Sequence, residues 1–390
     1  MRNLASVQRI SELEPIPGKD RIVLASMVKN AWKVIVRKDE FKVGDLCVYI
    51  EIDSVLPETE QFEFMRKHKF KVKTIKMANT LSQGLCMPLT ILPEGKIYRE
   101  GQDVTEILGV KHIEDSEEEN VLTGKPKKQN FLKHLLFRCP WTRGLARKLF
   151  TKKTSDDFPA FLSKTDETRI QVIPEILQDK RLFDVTEKID GTSATYFYRK
   201  ADKKSIFSRP QFGVCSRNKH LVVDDGSPWW QVANKDNIKE ILKDICKQQK
   251  DFDTMVIQGE IVGPGIQGNK YHKKEYVLYC FNLIGIKDGK QTRIKTEEAV
   301  RLMNFYELNW VPVLQVIRLP DSVDEMLELA DGISVISQDN VAREGLVLRC
   351  KDDPTVSFKV VSNKYLLKQN DEDKKKEAEQ EAPNDNTGES

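Results

Sequence analysis

The 390-residue chain sets 63 Lys and Arg against 60 Asp and Glu, a net charge of +3, with 32% charged and 39% apolar residues. That makeup excludes a wholly disordered chain and a membrane-spanning one, and at roughly 100 to 200 residues per domain the length predicts two or three domains. Seven scattered cysteines, an odd number without a C-x-x-C pair or a His cluster, argue against a zinc site or disulfide framework, and the absence of an apolar leader predicts an intracellular protein, cytoplasmic or nuclear.

In chain order, residues 1–112 read as short strands: Arg21 to Lys29, Ala31 to Arg37, Leu46 to Ile52 and Phe70 to Lys76, with breaks at IPGKD, Val43-Gly44-Asp45 and Leu56-Pro57. In WKVIVRK, Trp32, Val34 and Val36 face one way and Lys33, Ile35 and Arg37 the other. Such a module closes as an OB-like β-barrel, which commonly grips single strands with stacking aromatics and basic grooves; Trp32, Phe70, Lys71 and Lys73 are the candidate residues. A linker over 113–160 comes next. It opens with the acidic run EDSEEE and turns basic, with ten Lys or Arg and no Asp or Glu between Gly124 and Lys153. A solvated connector is the plainer interpretation; interleaved Phe131, Phe137, Trp141 and Phe150 also fit a phosphate-tracking segment.

Residues 161–367 mix helices and strands. Ile238, Ile241, Leu242 and Ile245 have helical spacing, and Ser322 to Glu325 forms a capping box ahead of Val323, Met326, Leu327 and Ala330. Strands are expected at 254–261, 276–284, 344–350 and 355–361, too irregularly connected for repeated βαβ units. The fold class is therefore α+β, with antiparallel sheets in the second domain. The tail over 368–390 is charged, lacks bulky apolar residues and is expected to be disordered.

The chemistry concentrates in FDVTEKIDGTSATYFY, which sets Lys188 at a strand end just before Asp190 and Gly191. A K-x-D-G string alone carries little information, since a hairpin with a surface lysine produces it equally well. It gains weight from five strings downstream of it: Cys215-Ser216-Arg217-Asn218, GEIVGPGIQ with Glu260, YCFN with Phe281, REGLVLR with Glu344, and SFKVV with Lys359.

That ordered series resembles motifs I, Ia, III, IIIa, IV and V of the covalent nucleotidyltransferase superfamily of DNA ligases, RNA ligases and capping enzymes. TEKIDGTS, SRN and GEIVGPGIQ resemble the ATP-dependent RNA ligases, and KTDETRIQ (164–171) is similar to the segment leading into their catalytic domain. LASVQRISELEPIPGKDRIVLASM and Ser82 to Leu85 are similar to the OB module that precedes the ligase domain in one branch. The resemblance implies an antiparallel-sheet nucleotidyltransferase (ATP-grasp-like ligase) domain, ATP and Mg²⁺ or Mn²⁺ as cofactors, and RNA 3′-OH and 5′-phosphate ends as partners of a monomer without membrane association, in RNA repair. Lys188 is the implied AMP-lysine nucleophile, with Asp190 and Lys359 catalytic beside it. Glu344 and Asp190 would hold the metal. Glu187, Lys188, Arg217, Asn218, Glu260, Phe281, Lys359 and Arg169 would bind the nucleotide, Glu260 at the ribose, Phe281 stacked on adenine and Arg169 at the nucleotide or the RNA end.

Residue chemistry agrees, because a lysine attacks only when neutral and nearby positive charge lowers a pKa near ~10.4. Two positions depart from the family pattern: Val361 replaces a second lysine of motif V, and Asn282 an acid of motif IIIa. A capping guanylyltransferase, a DNA ligase and a non-catalytic RNA-binding protein on a ligase scaffold are the rivals. Capping enzymes place their OB module after the catalytic domain, and decay has no reason to spare Lys188 and Glu344.

Overall fold

Strands β1 (Ala5–Pro15), β2 (Ile22–Met27), β3 (Lys33–Arg37), β4 (Leu46–Ile50) and β5 (Leu85–Pro88) form one five-stranded sheet in the order β3-β2-β1-β4-β5. The computed structural model describes residues 3–113, 155–202 and 208–381, with side chains through 372. A three-stranded sheet and the hairpin Thr74–Met77/Thr80–Gln83 complete the amino-terminal half-barrel. The alternation in β3 is as expected: Trp32, Val34 and Val36 are buried, while Lys33 and Arg37 are exposed. The long β1, which pairs with both β2 and β4, was not among the expected strands, although Ala5, Val7 and Ile10 carry its inward face. Trp32 and Phe70 are unavailable for base stacking. Trp32 is fully buried with its ring 6.2 Å from that of Tyr49, and Phe70 lies 4% exposed beneath the Arg66 guanidinium.

The second domain holds two sheets that are antiparallel except where Tyr279 and Cys280 pair in parallel with Asn309 and Trp310. β6 (Phe183–Lys188), β7 (Thr192–Arg199), β8 (Gln211–Cys215), β9 (Thr254–Val262), β10 (Val277–Lys287), β11 (Val313–Ile317), β12 (Gly345–Cys350) and β13 (Ser357–Val361) supply their main strands. The smaller sheet runs β11-β6-β12-β13; the larger, eight-stranded one contains β8-β7-β9-β10. Helices α1 (Pro228–Lys235) and α2 (Ile238–Gln248) bury their apolar faces on the larger sheet, through Trp229, Val232, Ile238, Leu242 and Ile245. α3 (Thr296–Phe305) packs there as well, through Ala299 and Met303. α4 (Val323–Ala330) begins at the expected cap: the Glu325 N–H donates to Ser322 Oγ at 3.2 Å, and the Ser322 hydroxyl donates to the Glu325 carboxylate at 2.9 Å. Among the described residues no helix is long and apolar enough to cross a membrane.

The chain after β13 enters helix α5 (Asn363–Glu381), where disorder from 368 was expected. NDEDKKKEAEQE lacks apolar residues for a core, yet Lys, Glu, Gln and Ala are good helix formers, and the helix starts on a docked first turn. Residues 114–154, which contain most of the acidic and basic linker, and 382–390 lie outside the described residues.

The two domains share a core. Val361, Leu366 and Val172 pack with Trp32, Tyr49 and Ile52 of the barrel. Polar contacts flank it: the Ala31 N–H donates to the Gln171 carbonyl at 2.8 Å, Gln83 Nε2 donates to Asn363 Oδ1 at 3.0 Å, and Arg169 pairs with Asp53. Arg169 is 4% exposed and its Nε and NH1 have no hydrogen-bond partner, so the Asp53 charge is what offsets its burial. Asp53→Asn, which keeps a side chain tolerant of the positive φ of 67°, is expected to cost about 3 kcal/mol, because an unpaired buried cation is strongly destabilising. The urea midpoint measures this; a change below ~0.5 kcal/mol would show that the pair contributes little.

Candidate active site

The two sheets of the second domain face each other across a cavity of about 580 Å³. In β6 the period-two alternation sends Phe183 and Val185 into the core under α4 and leaves Thr186 and Lys188 lining the cavity. β12 behaves likewise: Leu346, Leu348 and Cys350 are core, and Val347 and Arg349 line the cavity. In β13, Phe358 and Val360 are core and Lys359 lines the cavity. Register does the rest, with Lys188 opposite Gly345 and Val347 opposite Lys359.

Two glycines make the approach possible. A Cβ on Gly191 would lie 2.4 Å from the Ile261 carbonyl, and one on Gly345 would lie 2.1 Å from that of Val360. Gly345→Ala is therefore expected to push β12 from β13, shift Glu344 and Lys359 apart, and destabilise the fold by about 1–3 kcal/mol. Denaturant unfolding tests it, and an unchanged midpoint would contradict the packing argument.

Lys188 Nζ lies 2.7 Å from Glu344 Oε2, with side chains 23% and 15% exposed. Lys359 Nζ lies 2.7 Å from Asp166 Oδ1, and the Arg217 guanidinium approaches the other Asp166 oxygen at 3.9 Å. Asp190 also lines the cavity; its Oδ2 accepts from Lys270 Nζ at 2.6 Å and from the Tyr365 hydroxyl. Burial first, and then the Asp190 charge, push the Tyr365 phenol far above its ordinary value, so it acts as a donor. Glu260, from β9, and Phe281, from β10, complete the wall opposite.

A model of the RNA ligase family matches residues 181–365, and one of an OB-fold domain matches residues 4–89. The Naegleria gruberi RNA ligase with PPi is 30% identical and superposes with a TM-score of 0.73, over 95% of this chain and 100% of that one. The chain belongs to the RNA ligase family. An arginine-to-alanine mutant of the Naegleria gruberi RNA ligase with ATP and Mn gives the same 30% identity and TM-score of 0.73, over 95% of this chain and 100% of that one. A lysine-to-alanine mutant with ATP and Mn is 30% identical at a TM-score of 0.74, over 95% and 98%. A search of curated proteins returned no match. The OB domain therefore precedes the ligase domain in this family member, and the motif series lies within the matched region.

In this ligase the cavity brings together Lys188, Asp190, Arg217, Glu260, Phe281, Glu344 and Lys359. Three expected residues stand apart. Arg169 and Asn218 do not line it: Arg169 is engaged by Asp53 at the domain boundary, and Asn218 Oδ1 accepts from Lys164 Nζ at 2.5 Å. Glu187 reaches the lining, yet its side chain is 1% exposed and its Oε2 accepts from the Val335 N–H at 3.0 Å. Being adjacent to Lys188 in a strand, it must point to the other face. Burial raises its pKa there.

Asp166 was missed. It stands in KTDETRIQ, but nothing in the string says that its carboxylate will join Lys359 to Arg217. Arg349 was also missed: 4% exposed, it donates through NH1 to the Phe281 carbonyl at 2.9 Å and through NH2 to Asn282 Oδ1 at 2.8 Å. Burial pushes its guanidinium down to about 10. This contact accounts for Asn282, whose Nδ2 donates to Gln258 Oε1 at 2.9 Å; a carboxylate there could accept from Arg349 but not donate to Gln258. Val361 is explained too, since its side chain is 2% exposed within the interdomain core, where a lysine would lose its hydration.

Proposed function

We propose that the protein is an ATP-dependent RNA ligase that joins RNA 3′-OH and 5′-phosphate ends through lysyl-AMP and RNA-adenylate intermediates, in RNA repair. The single observation that carries this reading is the convergence of Lys188 on β6, Glu344 just before β12 and Lys359 on β13 on one cavity whose far wall holds Glu260 and Phe281.

Lys188 Nζ, after losing a proton and its contact with Glu344, forms a bond to the α-phosphorus of ATP as the bond to pyrophosphate breaks. An oxygen of the RNA 5′-phosphate then displaces lysine from that phosphorus. The 3′-OH attacks the 5′-phosphorus, its proton is lost, and AMP departs. Lys359 and Arg217 bear positive charge toward the phosphates, where phosphoryl transfer depends on charge neutralisation. Phe281 stacks on the base and Glu260 accepts from the ribose hydroxyls.

Among the described residues no three His, Cys, Asp or Glu side chains form a metal-holding group. Two cavity carboxylates, Glu344 and Asp190, suit Mg²⁺ or Mn²⁺ held largely through its own water. Such an ion supplies charge for the transferring phosphoryl group. The Naegleria gruberi structures with ATP and Mn support this choice. The partner is RNA, and the barrel's position beside β13 and α5 supports a share in holding it. Deleting residues 1–112 would expose Val361 and Leu366 and leave Arg169 unpaired, so it would disturb lysyl-AMP formation as well as sealing.

The deciding experiment offers radiolabelled ATP and GTP side by side with Mn²⁺, then chases with 5′-phosphorylated RNA. Covalent label from ATP alone, released by RNA as a joined product, is the expected result. Label from GTP would instead make the protein a guanylyltransferase, sealing confined to all-DNA nicks would make it a DNA ligase, and absence of label would leave RNA binding without catalysis.

A further inference from the structure

Asp190 is held from several directions, and the residues that hold it belong to none of the motifs. Its backbone N–H donates to the Tyr271 hydroxyl at 2.9 Å. The neighbouring Lys270 donates from Nζ to Asp190 Oδ2 at 2.6 Å, and Tyr365 donates its hydroxyl to the same oxygen. Lys270 and Tyr365 also meet each other, Nζ to hydroxyl at 2.5 Å, with the ammonium 4.7 Å from the ring centroid. The side chains of Lys270 and Asp190 are 18% and 13% exposed, so the pair is shielded from much of the screening that weakens surface ion pairs.

Neither Lys270 nor Tyr365 lines the cavity. Lys270 follows the GEIVGPGIQ loop, and Tyr365 stands in the first turn of α5, whose Asn363 and Leu366 dock on the OB domain. Three elements therefore meet at one carboxylate: the turn after the nucleophile, the loop after β9 and the helix seated on the barrel.

We propose that Lys270 and Tyr365 are positioning residues of this ligase, which fix the plane of the Asp190 carboxylate by sharing its Oδ2 and thereby aim Oδ1 at the nucleotide and its cation. Two charge-assisted or strong donors on one oxygen restrict rotation of the carboxylate about its Cβ–Cγ bond. The inference rests on the ligase reading, because the working position of Asp190 has meaning only if the cavity performs adenylylation.

The test measures single-turnover lysyl-AMP formation by the full chain, over a Mn²⁺ titration, for Lys270→Met, Lys270→Arg and Tyr365→Phe, each alone and combined with Asp190→Asn. Lys270→Met is expected to slow adenylylation on the order of tenfold and to raise the Mn²⁺ concentration for half-maximal rate, Tyr365→Phe about threefold, and Lys270→Arg to restore most of the rate. In the Asp190→Asn background both effects should vanish, because residues that act only through a partner do not add to its loss. Tyr365→Phe removes one oxygen and leaves packing intact, so it reports even where Lys270→Met folds poorly. Full rates and unchanged Mn²⁺ dependence for both variants, or losses of equal size with and without Asp190, would overturn the proposal. Failure of the unaltered protein to take label from ATP would instead overturn the ligase reading, and this inference with it.

Discussion

Lys188→Ala is expected to abolish covalent AMP transfer to the protein, a loss on the order of 10³-fold or more, since no covalent catalysis survives removal of its nucleophile. Two lysines line the cavity, and geometry separates them. Lys188 ends the central strand β6 beside Glu344, a carboxylate it must leave in order to react. Lys359 is held across the cavity by Asp166, near Arg217, an arrangement suited to holding charge. Lys359→Ala should therefore slow labelling while still giving a labelled protein, whereas Lys188→Ala gives none. Incubation with radiolabelled ATP and Mn²⁺, followed by denaturing electrophoresis, measures both. Undiminished label on Lys188→Ala would overturn the assignment, and label lost only in Lys359→Ala would transfer the role.

The second large effect is expected at Glu344. Glu344→Gln keeps the shape of the side chain and an oxygen that accepts from Lys188, but removes the negative charge. If Glu344 serves the cation, adenylylation falls about 10²- to 10³-fold, corresponding to the several kcal/mol that metal-ion charge stabilisation supplies, and excess Mn²⁺ recovers part of it. If Glu344 merely anchors Lys188, the glutamine suffices and the rate changes little. Single-turnover labelling across a Mn²⁺ series distinguishes the two, and a wild-type rate at low Mn²⁺ would remove Glu344 from the metal site. Chelation of the metal should silence the unaltered protein as fully as Lys188→Ala does.

Much of the fold was legible because local patterns were strong. The alternation of Trp32, Val34 and Val36, the helical stripe from Ile238 to Ile245 and the Ser322 cap each follow from spacing alone, and each is present. β1 escaped because SVQRISELEP mixes charged residues into a strand that is apolar only at alternate positions near its start. Helix α5 escaped because a charged segment without a core of its own reads as disordered, whereas its first turn is anchored by Leu366 and Asn363. Trp32 and Phe70 looked like stacking platforms because composition names the residue type and not the side it faces.

The motif strings by themselves were enough to establish the family resemblance, the order of the two domains and the lysine on which the proposed chemistry turns, since these depend on residue identity and spacing along the chain. They could not establish which charged groups meet. Glu187 sits beside Lys188 in sequence and points away from it in space, because a strand reverses its side chains at every residue. Arg169, expected at the nucleotide or the RNA end, pairs with Asp53 at the domain boundary, a contact that its string does not announce. Lys270 and Tyr365 lie outside the motif strings, Asp166 and Arg349 stand in quoted strings that do not name their partners, and all four matter through contacts between residues that lie from 67 to 193 positions apart. Pairing across such separations is set by sheet register and by the packing of one domain on the other, which are properties of the folded chain.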